Sequence, residues 1–87
     1  MSEAELLKFP TDYPIKVVGK PSDDFRARIH AVFLKHVPEV DPEQVTERLS
    51  GQGNFVSISY VIRAQSREHV IGLANELIET TGVVMVL

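Results

Sequence analysis

Ten residues, Phe55 to Ala64, constrain the fold more than any other part of the chain. Val56, Ile58, Tyr60 and Ile62 alternate with Phe55, Ser57, Ser59, Val61 and Arg63. A period of two sustained over that length is the pattern of a strand with one buried and one open face. Such a strand needs neighbouring strands and a layer over its apolar face. The rest of the 87 residues must therefore supply both.

From Tyr13 to Gly19, Ile15 and Val17 alternate with Lys16 and Val18, which predicts a strand ended by Gly19-Lys20-Pro21. Ser22 or Asp23 can cap a helix whose stripe Phe25, Ile29, Val32, Phe33, His36 recurs at helical spacing and stops at Pro38. Asp41-Pro42 marks a turn. Val45, Glu47 and Leu49 then alternate with Thr46 and Arg48, a weaker strand with charges on both faces, as an edge strand has. Ser50-Gly51-Gln52-Gly53-Asn54 is the strongest turn signal and predicts a hairpin into Phe55–Ala64, with positive φ expected at Gly53 or Asn54. Ser66 caps a second helix with the stripe Val70, Leu73, Ala74, Leu77, Ile78, and Thr81-Gly82 ends it. The apolar run Val83 to Leu87 reads as a last strand.

The order is βαββαβ. Residues 1–12 read as a flexible arm, anchored if anywhere at Phe9 and Pro10, with Ser2, Glu5, Leu6 and Leu7 in the form of a capping box. Residues 13–87 read as a single domain. Each βαβ half requires a right-handed crossover, and interleaving the two halves gives a four-stranded antiparallel sheet with both helices on one face. The other face is left open and carries Lys16, Val18, Phe55, Ser57, Ser59, Val61 and Arg63, the candidate interaction surface.

Composition narrows the function classes. Hydrophobic residues make up 44% and charged residues 24%, which suits one small core in a water-facing surface. Without Cys there is neither a disulfide framework nor a thiolate nucleophile or metal ligand. A net charge of −3 gives no global cationic field for nucleic acid or anionic lipid. The apolar runs are too short for a membrane span or a signal-peptide core, so the cytoplasm is the expected compartment. His30 and His69 fall on solvent faces, while His36 reads as a partly buried or helix-capping side chain. No pair has the i, i+4 spacing of helical metal ligands. Ser57 and Ser59 lie on a strand, outside any nucleophile elbow and with no base placed to activate them. Gly51-Gln52-Gly53 lacks both the third glycine and the following helix of a dinucleotide fingerprint. No catalytic, metal or cofactor-binding residue is assigned, and the chain is not read as an enzyme.

Phe9-Pro10 followed by Tyr13, Lys16-Val17 with Gly19, Gly53-Asn54-Phe55 with Ser57-Ile58-Ser59, and the terminal Val84-Met85-Val86-Leu87 resemble the YbeD-like proteins, a family of small bacterial cytoplasmic proteins filed as a domain of unknown function. The resemblance covers nearly the whole chain. It implies an α+β, ferredoxin-like fold similar to the ACT regulatory domain, and a regulatory role linked to lipoate metabolism. ACT domains usually bind amino acids beside a glycine in the first strand-to-helix loop. Here that loop is Gly19-Lys20-Pro21-Ser22-Asp23-Asp24, with no glycine after Pro21 and two acids where a ligand carboxylate would sit.

The expected function is therefore that of a non-enzymatic regulatory or adaptor domain acting by contact with a protein partner. Lys16 and Arg63 would flank Ser57 and Ser59 to seat an acidic or carboxylate-bearing group. One alternative is an ACT-like domain sensing a small effector, as a monomer or weak homodimer. Another is a weak RNA binder, since Phe55-Val56 sits where RNA-recognition motifs of the same element order place a stacking aromatic. Gly51 and Gly53 at the basic and aromatic positions before it, and Ile58 after it, argue against nucleic acid.

Overall fold

The computed structural model describes residues 8–87, and the capping box expected at Ser2 and Glu5 lies outside them. The elements run β1 (Thr11–Gly19), α1 (Asp23–His36), β2 (Thr46–Ser50), β3 (Phe55–Ala64), α2 (Arg67–Glu79) and β4 (Val83–Val86). The strands form one antiparallel sheet in the order β2-β3-β1-β4. Both helices cover the same face. This is the α+β, ferredoxin-like arrangement expected from the pattern.

Local chemistry accounts for the boundaries. Ser22, rather than Asp23, caps α1: its Oγ accepts the Phe25 N–H at 3.0 Å. Ser66 caps α2 in the same way, accepting from the His69 N–H at 3.1 Å. Asp23 and Asp24 occupy the first turn of α1, beside the positive end of its dipole. A single 3-10 turn, Pro42–Gln44, absorbs the return from α1, so β2 starts at Thr46 and Val45 becomes a turn residue packed against the core. The β2–β3 turn takes positive φ at Gly51, Gln52 and Gly53, with Gly53 at +85°. β1 reaches back to Thr11 because Thr11 and Asp12 pair with Ala64 and Arg63. The structured chain therefore begins before the expected boundary at residue 13, and Phe9 packs against the core.

The core lies between sheet and helices. Ile15 and Val17 of β1, Val56, Ile58, Tyr60 and Ile62 of β3, Phe25, Ile29 and Phe33 of α1, and Leu73 and Leu77 of α2 are all buried. Phe33 and Tyr60 stack nearly parallel, with ring centroids 3.7 Å apart. Each such side chain contributes about 1.5–3 kcal/mol of transfer free energy, most of it offset by lost conformational entropy. Ile78 departs from the expected stripe. It is 59% exposed, outside the buried stripe that Leu73 and Leu77 form.

Two ionic clusters tie α1 to its neighbours. Arg26 of α1 donates to both oxygens of Glu47 on β2, at 2.8 and 2.9 Å. His36 and Lys35, at the end of α1, donate to Glu76 of α2 at 2.9 and 3.1 Å. These hydrogen bonds hold both carboxyls below the usual glutamate range, Glu47 through Arg26 and Glu76 through His36 and then Lys35.

His30 and His69 are half-buried rather than solvent-facing. His30 Nδ1 lies 3.1 Å from the Tyr60 hydroxyl. The Gln65 N–H can only donate, so His69 Nδ1, at 3.0 Å, must be the acceptor, and its Nε2–H donates to the His36 carbonyl at 2.8 Å. Each ring bridges two elements, a role that helical periodicity alone does not reveal.

Candidate functional site

The face away from the helices is ordered by strand register. Lys16 lies opposite Ser59 and Val18 opposite Ser57 on the β1–β3 ladder. Thr46 lies opposite Ser59 and Arg48 opposite Ser57 on the β2–β3 ladder. Residues directly opposite on an antiparallel pair share a face. Two rows therefore cross the sheet, Thr46-Ser59-Lys16 and Arg48-Ser57-Val18. Lys16 and Arg48 occupy opposite corners of this grid, with the two serines between them. Neighbouring strands are about 4.8 Å apart and two residues along a strand add about 6.7 Å, so the two cationic backbones stand about 12 Å apart on the diagonal. Both side chains can reach a group seated over Ser57 and Ser59.

The surface dips at this grid into a basin of about 450 Å³ lined by Lys16, Thr46, Glu47, Arg48, Ser50, Ser57 and Ser59. Four hydroxyls and two cations converge there. Glu47 does not neutralise them, since both of its oxygens accept from Arg26. Among the described residues, Lys16 and Arg48 enter no salt bridge. The basin can hold an anion with charge-assisted hydrogen bonds on two sides.

Of the seven residues of the expected surface, Lys16, Ser57 and Ser59 line the basin. Val18 and Phe55 are half-buried at its borders. Val61, opposite Pro14, and Arg63, opposite Asp12, continue the same face but stand away from the serines. Arg63 donates to Asp12 at 3.3 Å and lines a separate hollow of about 260 Å³ with Glu39 and Asp41. Arg48 therefore stands where Arg63 was expected, as the second cation beside the serines. A signal for it was present: the alternation in β2 puts Arg48 and Thr46 on one face. Which face that is depends on the register against β3, which the turn at Gly51 to Gly53 sets.

The other half of the face is apolar. Met85 lies opposite Val18. Leu87 and Lys16 exchange backbone hydrogen bonds, at 2.8 and 3.0 Å, so Leu87 stands beside Lys16. Met85 and Leu87 are 48% and 66% exposed. Among the described residues no three His, Cys, Asp or Glu side chains converge as metal ligands would, and no helix is long and apolar enough to cross a membrane.

Comparison with known proteins adds a family and a fold. Residues 4–87 match the family described as a protein of unknown function, DUF493. A UPF0250 protein of Hahella chejuensis is 36% identical over 85 residues, covering 98% of this chain and 93% of that one. A UPF0250 protein of Bordetella parapertussis is 37% identical over 75 residues, covering 86% and 82%. Among solved structures, the ACT domain from GTP pyrophosphokinase of Chlorobium tepidum superposes with a TM-score of 0.67 at 17% identity, covering 87% of this chain and 84% of that one. The C-terminal domain of the MgtC protein from Mycobacterium tuberculosis gives a TM-score of 0.69 at 13% identity, covering 93% and 88%. At these identities the structural likeness speaks for the fold alone.

Proposed function

This chain belongs to the DUF493 family, the YbeD-like proteins with an ACT-like fold, and from that premise we propose that it is a non-enzymatic regulatory or adaptor domain of the cytoplasm. It acts by contact of its open sheet face with a protein partner that presents a carboxylate. The observation that carries this reading is the basin between Lys16 and Arg48, floored by Ser57 and Ser59 and left without an internal counter-ion among the described residues. A cationic site on a chain of net charge −3 is a local feature, and its natural complement is an anion of matching size.

The test is affinity capture with the full chain. The wild type and Arg63→Ala hold the same partner, and the Lys16→Glu, Arg48→Glu double variant stays folded but releases it. Exposed substitutions of this kind move stability by about 0.5 kcal/mol or less each. Retention of the partner by the folded double variant would place the contact elsewhere on the molecule.

The size of the basin favours a second reading, an ACT-like domain that senses a small carboxylate. Its volume of about 450 Å³ falls within the range of small-molecule sites. Titration with amino acids and with lipoate, followed by amide chemical shifts, separates the two readings. Saturable shifts confined to Lys16, Arg48, Ser57 and Ser59 support the effector, and none at millimolar ligand excludes it.

A further inference from the structure

We infer that the partner element seated on the open face is an amphipathic helix with one acidic flank. This rests on the preceding reading and adds the shape and chemistry of the occupant. The face is divided along the strand direction. Val18, Met85 and Leu87 form an apolar lane over β1 and β4, while Arg48, Thr46, Ser57 and Ser59 form the cationic, hydroxyl-rich side over β2 and β3. Lys16 stands at the border between them. The two flanks, β4 and β2, are three strand spacings apart, about 14 Å.

That width selects the occupant. An extended segment covers about one strand spacing and would touch one flank or the other. A helix with its side chains is about 10–12 Å across and touches both. Laid along the strands, it would rest its apolar stripe on Val18 and Met85 and turn an Asp or Glu row, offset around its circumference, toward Arg48 and Lys16. The same contact completes a third layer on a sheet now covered on one side only. A second copy of this chain fits poorly. Stacking two open faces would bring four unmatched cations, Lys16 and Arg48 from each copy, into one poorly hydrated layer.

The experiment is a selection of random 16-residue peptides displayed on phage against the immobilised full chain. The expected result is enrichment of sequences with apolar residues at i, i+3 or i+4 and i+7 and acids along one adjoining flank. Such peptides become helical on binding and shift the amides of both Met85 and Ser57. Met85→Asp should weaken a selected peptide about tenfold, the scale of a central apolar contact. Lys16→Glu with Arg48→Glu should weaken it at least about tenfold, with less loss at high salt, where the pairs are already screened. Acidic peptides that bind extended, or that shift only the basin, would overturn the helix while leaving the carboxylate-binding role intact. Basic or uncharged peptides, salt-dependent binding of polyuridylate at this face, or no enrichment at all would overturn the inference. Enriched peptides that bind the double variant as tightly as the wild type would overturn both readings.

Discussion

Gly19 ends β1 at a point where the backbone has no room for a side chain. A Cβ built there overlaps the Phe25 ring and stands 2.5 Å from the Gly82 carbonyl oxygen. Neither neighbour yields easily. Phe25 is 1% exposed in the core, and the Gly82 carbonyl accepts the Lys20 N–H at 3.3 Å where β4 shifts register beside Gly19. Gly19→Ala should therefore overpack the junction, a cost of about 1–3 kcal/mol. Removing a glycine also restricts the unfolded chain and returns about 0.4–1 kcal/mol, leaving a net loss centred near about 1.3 kcal/mol. For a domain of this length each kcal/mol lowers the melting temperature by about 4–8 °C. Urea unfolding measures the effect directly: the midpoint should fall while the m-value stays constant. A second variant identifies the cause. If the ring is the obstacle, Gly19→Ala should cost less in a Phe25→Leu background than alone, a coupling that a double-mutant cycle reads. The reasoning is refuted if Gly19→Ala matches or exceeds the wild type in stability, or if the two substitutions add without coupling.

Phe33→Ala and Leu77→Ala, each emptying a fully buried site, should cost about 3–5 and 2–5 kcal/mol in denaturant titrations, a large share of the stability expected of a domain this size. Gly53→Val should destabilise by about 1–3 kcal/mol although its Cβ would meet open space, because φ +85° is strained for a β-branched residue; Gly72→Ala, inside α2 and with the added Cβ no nearer than 4.0 Å to the His36 ring of α1, should stabilise by up to about 1 kcal/mol. Glu76 is ionised more readily in the fold than in the unfolded chain, so its contribution is complete above the ordinary glutamate range and is lost as pH falls through it and below, under about pH 4. Melting curves between pH 7 and pH 3 should therefore fall less steeply for Glu76→Gln than for the wild type, and parallel curves would remove the argument.

The element order was legible because each element declares itself within a few residues. The serine caps at 22 and 66 and the glycine turn after Ser50 act through bonds that span at most four positions, and the alternation over Phe55–Ala64 expresses the two-residue repeat of an extended backbone. The ferredoxin-like architecture follows because right-handed crossovers leave few ways to assemble that order. The same logic anticipated Lys16, Ser57 and Ser59 on one face, since a strand repeats every two residues whatever it packs against.

Tertiary structure alone decided which charges remain free. Arg63 and Arg48 look alike in sequence, but β1–β3 register sets Arg63 against Asp12, whereas Arg26, twenty-one positions away, occupies Glu47 and leaves Arg48 without it. The histidines follow the same rule: His36 meets Glu76 and His69 meets the His36 carbonyl only because α1 and α2 pack side by side. Periodicity assigns a residue to a face, and local turn chemistry assigns it to an element. Whether a charge is matched depends on contacts between residues far apart in sequence, and those exist only once the chain has closed.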